Sequence, residues 1–386
     1  GIMKRKVEIG VTGRARCSAQ EASTRPATAR RADPAGIILA GVHNWGDGIL
    51  EATLCRPLLP VAMRPLIAHV IEWLGQVGAT NLSVCGNSDS AALHRCLGDG
   101  GGLGVTLDYY ADRMPRGPAG CARDAARMHD ADTFIVVDGT ILPQFDLQEL
   151  LGSHRDSGAH LTVAVSNASP RPGAPAVPPS PIGVYVFSAE VFDHVPPVGY
   201  QDIKESLIPA LHAKGQRVCA FVVRDETVCR VSGAASYLSA NGWAIDRMTE
   251  EEIQSGGLVW AGEAMIHRTA LVDRSARLVG PVLVGPEAVV GANVLLVGST
   301  TIGPGCIIEP SAVISRSVLW EGCRIGAGAI VDYCVLTDGA GLESGIVVRN
   351  TVLTRARSVR PNIVDRLSSR LRFPRPGDRR AKRMPA

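Results

Sequence analysis

The sequence contains no apolar run near the roughly 20 residues that a bilayer-crossing helix requires, which excludes a transmembrane helix. No charged-then-apolar leader opens it, so no secretory signal is expected. Ten cysteines are present, yet none falls in a C-x-x-C pair. That absence argues against a zinc ribbon and a secreted disulfide framework, and it points to a reducing cytoplasm. The first strand-like segment, Ala35–Gly41, is not followed by G-x-G-x-x-G, and no ribose-binding acid stands at the expected distance. A dinucleotide-dependent oxidoreductase is thereby disfavoured.

What is present fits a globular chain of 386 residues, 46% hydrophobic and 20% charged, long enough for two or three domains. The net charge of +3 is unevenly spread. Residues 1–33 carry eight Lys/Arg against three acids, and residues 354–386 carry eleven against two, so the stretch between them is acidic. Both ends are Arg-rich and poor in large apolar residues, which predicts mobile basic tails. They are read as solvated rather than as a nucleic-acid or membrane surface.

The strongest signal is periodic. Ile266, Val272, Leu278, Val284, Val290, Leu296, Ile302, Ile308 and Ile314 recur every six residues. Four residues after each stands a mostly small one, from Ala270 to Val318, and the pattern resumes at Ile325 and Val331 after one turn of different length. A period of six fits neither a helix nor a hairpin array. It is the signature of a stacked parallel β-helix, in which each short strand buries one branched aliphatic on top of its equivalent in the next coil. The repeat resembles the left-handed β-helix family, a hand that breaks the usual crossover rule. Some members are acyltransferases with a histidine base, and the repeat's one histidine is His267. A structural or oligomerisation module is the preferred reading.

Before the repeat, strands are expected at Leu82–Cys85, Val105–Tyr109, Phe134–Val137, Leu161–Val165, Val184–Phe187 and Val218–Val223. Helical spacing marks Leu66–Val77, and helix-like stretches fall at 119–129, 146–157 and 202–214. Alternation of this kind predicts a largely parallel, doubly wound sheet with ligands beyond the strand C-termini.

In this region the sequence resembles the sugar-phosphate nucleotidyltransferases (NDP-sugar pyrophosphorylases), especially the mannose-1-phosphate guanylyltransferase type. The resemblance is carried by Ile37–Gly41, by Pro57–Val61 with Arg64–Ile67, and by the loop Gly117–Gly120. It is carried further by Phe134–Leu142 with Phe145–Leu147, by Gly183–Phe187 and by Ser236–Leu238. The resemblance implies an α/β fold: a Rossmann-like nucleotidyltransferase domain at 34–248 followed by a left-handed parallel β-helix of hexapeptide repeats at 249–353. It implies nucleotide contacts from Leu39, Ala40, Gly41, Gly117, Ala119 and Gly120. It also implies Mg²⁺ if the protein is active, and otherwise no cofactor.

The charged residues of that chemistry are largely replaced. The register places Val42, His43, Asn44, Trp45 and Gly46 at the family's G-x-G-T-R, so Gly46 stands for the triphosphate-gripping arginine. Arg56 stands for the lysine before the P-L-L-P-V segment, keeping the charge without the compact ammonium. Thr140 and Arg230 stand at the two metal-binding aspartates, and Pro-rich Ser169–Pro181 replaces the sugar-binding E-K-P. Asp138, two residues before Thr140, lies on the same side of an extended strand and would either enter the site as catalytic group and metal ligand or cap the following turn. The expected function is a nucleotide-sugar-binding relative with impaired catalysis, acting as a regulatory or scaffolding subunit. Its expected partners are a nucleotide or nucleotide sugar and either further copies of itself or an active paralogue. The alternatives are an active nucleotidyltransferase that uses Asp138 and Arg56 in altered roles and, more remotely, a hexapeptide acyltransferase.

Overall fold

The computed structural model describes residues 33–41, 49–86, 90–112, 114–166, 179–224 and 228–355. The basic tails apart from Asp33, Thr354 and Arg355, the register Val42–Gly46 and most of Ser169–Pro181 lie outside the described residues. The chain forms two compact units. One comprises the described parts of Gly1–Val42, Ile71–Asp138 and Pro143–Val228, and the other those of His43–Val70, Gly139–Leu142 and Cys229–Ala386.

The first unit holds a seven-stranded sheet: β1 (Ala35–Leu39), β2 (Asn81–Gly86), β3 (Thr106–Ala111), β4 (Thr133–Asp138), β5 (Leu161–Ser166), β6 (Ser180–Ser188) and β7 (Val218–Val223). The spatial order is β7-β5-β6-β4-β1-β2-β3. Every pairing is parallel except those of β6, which runs antiparallel to both β4 and β5. The sheet is therefore a mostly parallel Rossmann-like sheet with one reversed strand. Its central strands are apolar runs such as AGIIL and TFIVVD because helices and loops cover both faces. The helix Gly117–Ala126 packs on β1 and β2, its Ala119, Ala122 and Ala125 meeting Ile37, Leu39 and Val136 in one buried cluster. Alanines on that face let the helix lie close to the sheet.

In the second unit the chain visits three sheets in rotation, parallel throughout except for the opening hairpin of Leu258–Ala261 with Ala264–His267. Residues meet partners 18 positions away in the early coils, as in Leu271↔Val289 and Leu295↔Val313. The spacing drops to 17 later, as in Ile308↔Ile325 and Val331↔Val348. The step from Ile314 to the next inward aliphatic, Leu319, is one residue short, and the same short step recurs at Leu336 and Leu353. Ser317 rather than Val318 thus fills the small inward position at that corner, and Val318 joins the outward cluster. The ladder continues past Val348 to Leu353. Each corner carries a left-handed residue at the same place in successive coils, for example Glu287, Gly305, Gly322 and Gly339.

One of these sheets is largely apolar on both sides, Thr301 being the polar member of its outer row. Its outward residues Met265, Leu283, Val318 and Val335 are buried in a cluster with Tyr237, Leu238 and Ala244 of the helix Ala234–Asp246 and with Leu59, Val61 and Leu66. That helix approaches closely at Gly242, where a Cβ would stand 2.8 Å from the Ser299 hydroxyl. The same helix fastens the tight hairpin Pro60–Pro65, whose central residues Ala62 and Met63 both have positive φ, 48° and 65°. Two non-glycine residues there cost on the order of 1–3 kcal/mol each. The turn is held by Asn241, whose Oδ1 accepts from Ala62 N at 3.0 Å, and by Tyr237, whose hydroxyl donates to Pro60 O. That hydroxyl in turn accepts from Trp320 Nε1 at 2.9 Å.

Tyr237 and Trp320 are both buried. Tyr237→Phe leaves the Trp320 indole N–H without its acceptor and is expected to cost about 1–3 kcal/mol in urea unfolding. A variant as stable as the parent would contradict this network.

Candidate functional site

Parallel pairing puts Leu39 beside Asp138 at the C-terminal ends of β1 and β4, with Cys85 next to Leu39 on the other side. Leu39, Ala40 and Asp138 are buried and Gly41 is half-buried. Ala40 N donates to Cys85 O at 2.7 Å, which carries the sheet pairing one residue past β1. The first-strand residues and Asp138 are thus brought together at the sheet edge where ligands of such folds bind.

The loop Gly117–Gly120 is the first turn of the helix Gly117–Ala126, with Pro118 in its opening turn. Gly117 has φ +73°, and a Cβ on it would stand 2.5 Å from Gln201 O. Ala119 N donates to that same oxygen at 3.0 Å, and Gln201 N donates to Arg116 O at 2.7 Å. The loop is therefore locked against the segment Gly199–Gln201. Asp202 fixes that segment from the far side by capping the next helical stretch, accepting from Lys204 N at 2.7 Å and Glu205 N at 2.9 Å.

The central fastener is Arg116, a residue that the sequence reading did not single out. It is buried, and its guanidinium donates to Asp124 Oδ2 at 3.1 Å, Gly199 O at 3.1 Å and Pro196 O at 3.2 Å. Asp124 also accepts from the Tyr110 hydroxyl at 3.0 Å and from Arg123 at 2.9 Å. Asp112 accepts from Arg116 N at 2.9 Å and from the Cys121 thiol at 3.1 Å. Burial, reinforced by the hydrogen bond to Asp124, pushes the Tyr110 phenol above its usual range; burial likewise raises the Cys121 and Cys85 thiols. These thiols stay protonated and act as packing groups rather than nucleophiles. The only signal for Arg116 in the sequence was its place directly before the glycine loop.

The remaining expected residues belong to the second unit. Arg56 opens the short 3₁₀ turn Arg56–Leu58 and is half-buried. Thr140 is buried and its carbonyl accepts from Val231 N at 3.0 Å, which draws the segment after exposed Arg230 against it. Mg²⁺ takes hard oxygen ligands, one or two of them carboxylates. A hydroxyl at Thr140 and a guanidinium at Arg230 do not fit such a pair. Among the described residues no group of three or more His, Cys, Asp or Glu side chains is placed to hold a metal ion. His267 is engaged locally, its Nδ1 accepting from Thr269 N at 3.2 Å. Among the described residues no helix is long and apolar enough to cross a membrane.

Gly117→Ala tests the loop geometry. In an ordinary helix the change is stabilising by up to about 1 kcal/mol. At this backbone angle and against Gln201 O it is expected to destabilise by about 1–3 kcal/mol in chemical unfolding. A neutral or stabilised variant would contradict the described lock.

Comparison with known proteins agrees with this architecture. Residues 49–173 match the nucleotidyl transferase family model, and residues 260–367 match the GMPPB C-terminal domain model. The chain is 27% identical to a mannose-1-phosphate guanylyltransferase of Mycobacterium tuberculosis, over 64% of this chain and 74% of that protein. It is 25% identical to the mannose-1-phosphate guanylyltransferase catalytic subunit beta of Dictyostelium discoideum, over 71% of this chain and 77% of that protein. With the sheet, the glycine loop and the stacked repeat in one chain, it is similar to the sugar-phosphate nucleotidyltransferases, the mannose-1-phosphate guanylyltransferases among them.

Proposed function

We propose that this chain is a nucleotide-sugar-binding member of the family with impaired catalysis, acting as a regulatory or scaffolding subunit. The observation that carries the reading is the pair of residues at the metal-carboxylate positions. Thr140 offers a hydroxyl, and Arg230 a positive charge that repels a divalent cation and favours phosphate. Joining a sugar 1-phosphate to a nucleoside triphosphate needs concentrated positive charge on the phosphates and a metal held by carboxylates. Each such group is commonly worth about 3 kcal/mol in rate, so several replacements together leave little turnover.

Binding makes smaller demands. The locked loop Gly117–Gly120 offers a preformed wall for a base, and the edge at Leu39–Gly41 offers backbone for a phosphate. The relatives' names make GDP-mannose the first ligand to test. The stacked repeat, read as a left-handed β-helix, would serve assembly with further copies or with an active paralogue in the cytoplasm.

A second reading is an active nucleotidyltransferase with a rearranged site, in which Asp138 holds Mg²⁺ and Arg56 meets the phosphates. The burial of Asp138 beside Leu39 favours it. It requires that Asp138→Asn abolish product formation.

GDP-mannose at a hundredfold excess over its dissociation constant is expected to raise the melting temperature by a few degrees, and equally with Mg²⁺ or with a chelator. No stabilisation by GDP-mannose or other nucleotide sugars would remove the binding claim.

A further inference from the structure

At the opposite edge of the first unit's sheet lies a cavity of about 520 Å³. Its floor includes Phe134, at the start of β4, and Phe192, packed edge-on with ring centroids 5.2 Å apart. Its walls carry Arg123, Arg127, His129, His194 and Lys214, with Asp193 as the one acid among its lining residues. The helix Gly117–Ala126 begins at the locked loop and ends here, and β4 begins here and ends at Asp138. The cavity is therefore distinct from the candidate nucleotide site.

The cations are unevenly neutralised. Arg123 donates to Asp124 Oδ1 at 2.9 Å, and that carboxylate also serves Arg116. Arg127 and Lys214 are exposed, and among the described residues neither has a carboxylate within ion-pair distance. Lys214 Nζ lies 3.0 Å from His194 Nδ1. An ammonium is a donor only, so Nδ1 accepts, the imidazole is neutral and its N–H is at Nε2. Burial shifts His129 below the usual imidazole range, against the pull of Asp108, and its Nε2 lies 2.7 Å from the Ser83 hydroxyl. Unpaired cations and a neutral N–H donor around one concavity are what a multiply charged oxyanion requires.

We propose that this cavity is a second, anion-specific site that takes a phosphate-bearing small molecule, gripped by Arg127 and Lys214 with Arg123 and His194 alongside. Two sources share that chemistry, an inorganic phosphate or pyrophosphate and an organic phosphate ester. The competing account is that Arg123 and Arg127 only offset the carbonyl end of their helix.

Isothermal titration of the full chain with inorganic phosphate, inorganic pyrophosphate and mannose 1-phosphate separates these. The expected result is saturable binding of at least one probe, weakened at least tenfold in the R127E/K214E double variant and weakened by added salt. Both side chains are exposed, and an unchanged melting temperature confirms that the variant is folded. Binding of the two inorganic probes identifies an inorganic anion, and binding of the ester alone identifies an organic phosphate. Absence of saturable binding of all three by the parent chain, or equal affinity in the double variant, would overturn the proposal.

Discussion

A buried guanidinium cannot be left half-satisfied. Arg116 is largely withdrawn from water, and each of its three guanidinium nitrogens finds an oxygen, on Asp124, Gly199 and Pro196. The consequence is mechanical. The end of β3, through Tyr110 and Asp112, the start of the helix Gly117–Ala126, and the loop ahead of Asp202 are tied to one side chain and its partners. A glycine loop that would otherwise be free becomes a fixed wall. Ligand binding at a fixed wall avoids the entropy of ordering a loop, which is how the proposed site would bind a nucleotide sugar without the charges that drive a reaction.

The second unit depends on a different economy of contacts. A short strand has too little surface to be stable alone, and stacking makes each coil the template of the next. The covered sheet, apolar outward as well as inward, adds the helix Ala234–Asp246, and that helix holds the strained Ala62–Met63 turn through Asn241 and Tyr237. Arg56 and Thr140 belong to this same unit rather than to the seven-stranded sheet. Their neighbours Leu59 and Leu142 share a buried cluster with Met265 and Leu283 of the repeat.

Much of this was legible from the residues. Apolar runs bounded by turn residues marked all seven strands of the sheet, and an aliphatic every sixth residue marked the coils. The reversal of β6 was not legible, because Gly183–Phe187 is as evenly apolar as its parallel neighbours and periodicity carries no strand direction. The 17-residue coils were hidden for a related reason. Val318 keeps the four-residue offset from Ile314, yet the one-residue shortening hands its inward place to Ser317. That Leu39 and Asp138 stand side by side was not legible either, since it follows from the order and register of the strands in the sheet. Arg116 was missed because its carbonyl partners lie 80 and 83 residues away, beyond any local pattern. The register at Val42–Gly46 falls outside the described residues.

The fold of a sugar-phosphate nucleotidyltransferase is therefore present, with a hydroxyl and a guanidinium at the positions read as its metal carboxylates. Continuous detection of pyrophosphate released from GTP and mannose 1-phosphate, with excess Mg²⁺, tests the proposed loss of activity most directly. Loss of the electrostatic groups predicts a rate indistinguishable from that without protein. Multiple turnovers per chain, abolished by changing Asp138, would contradict it.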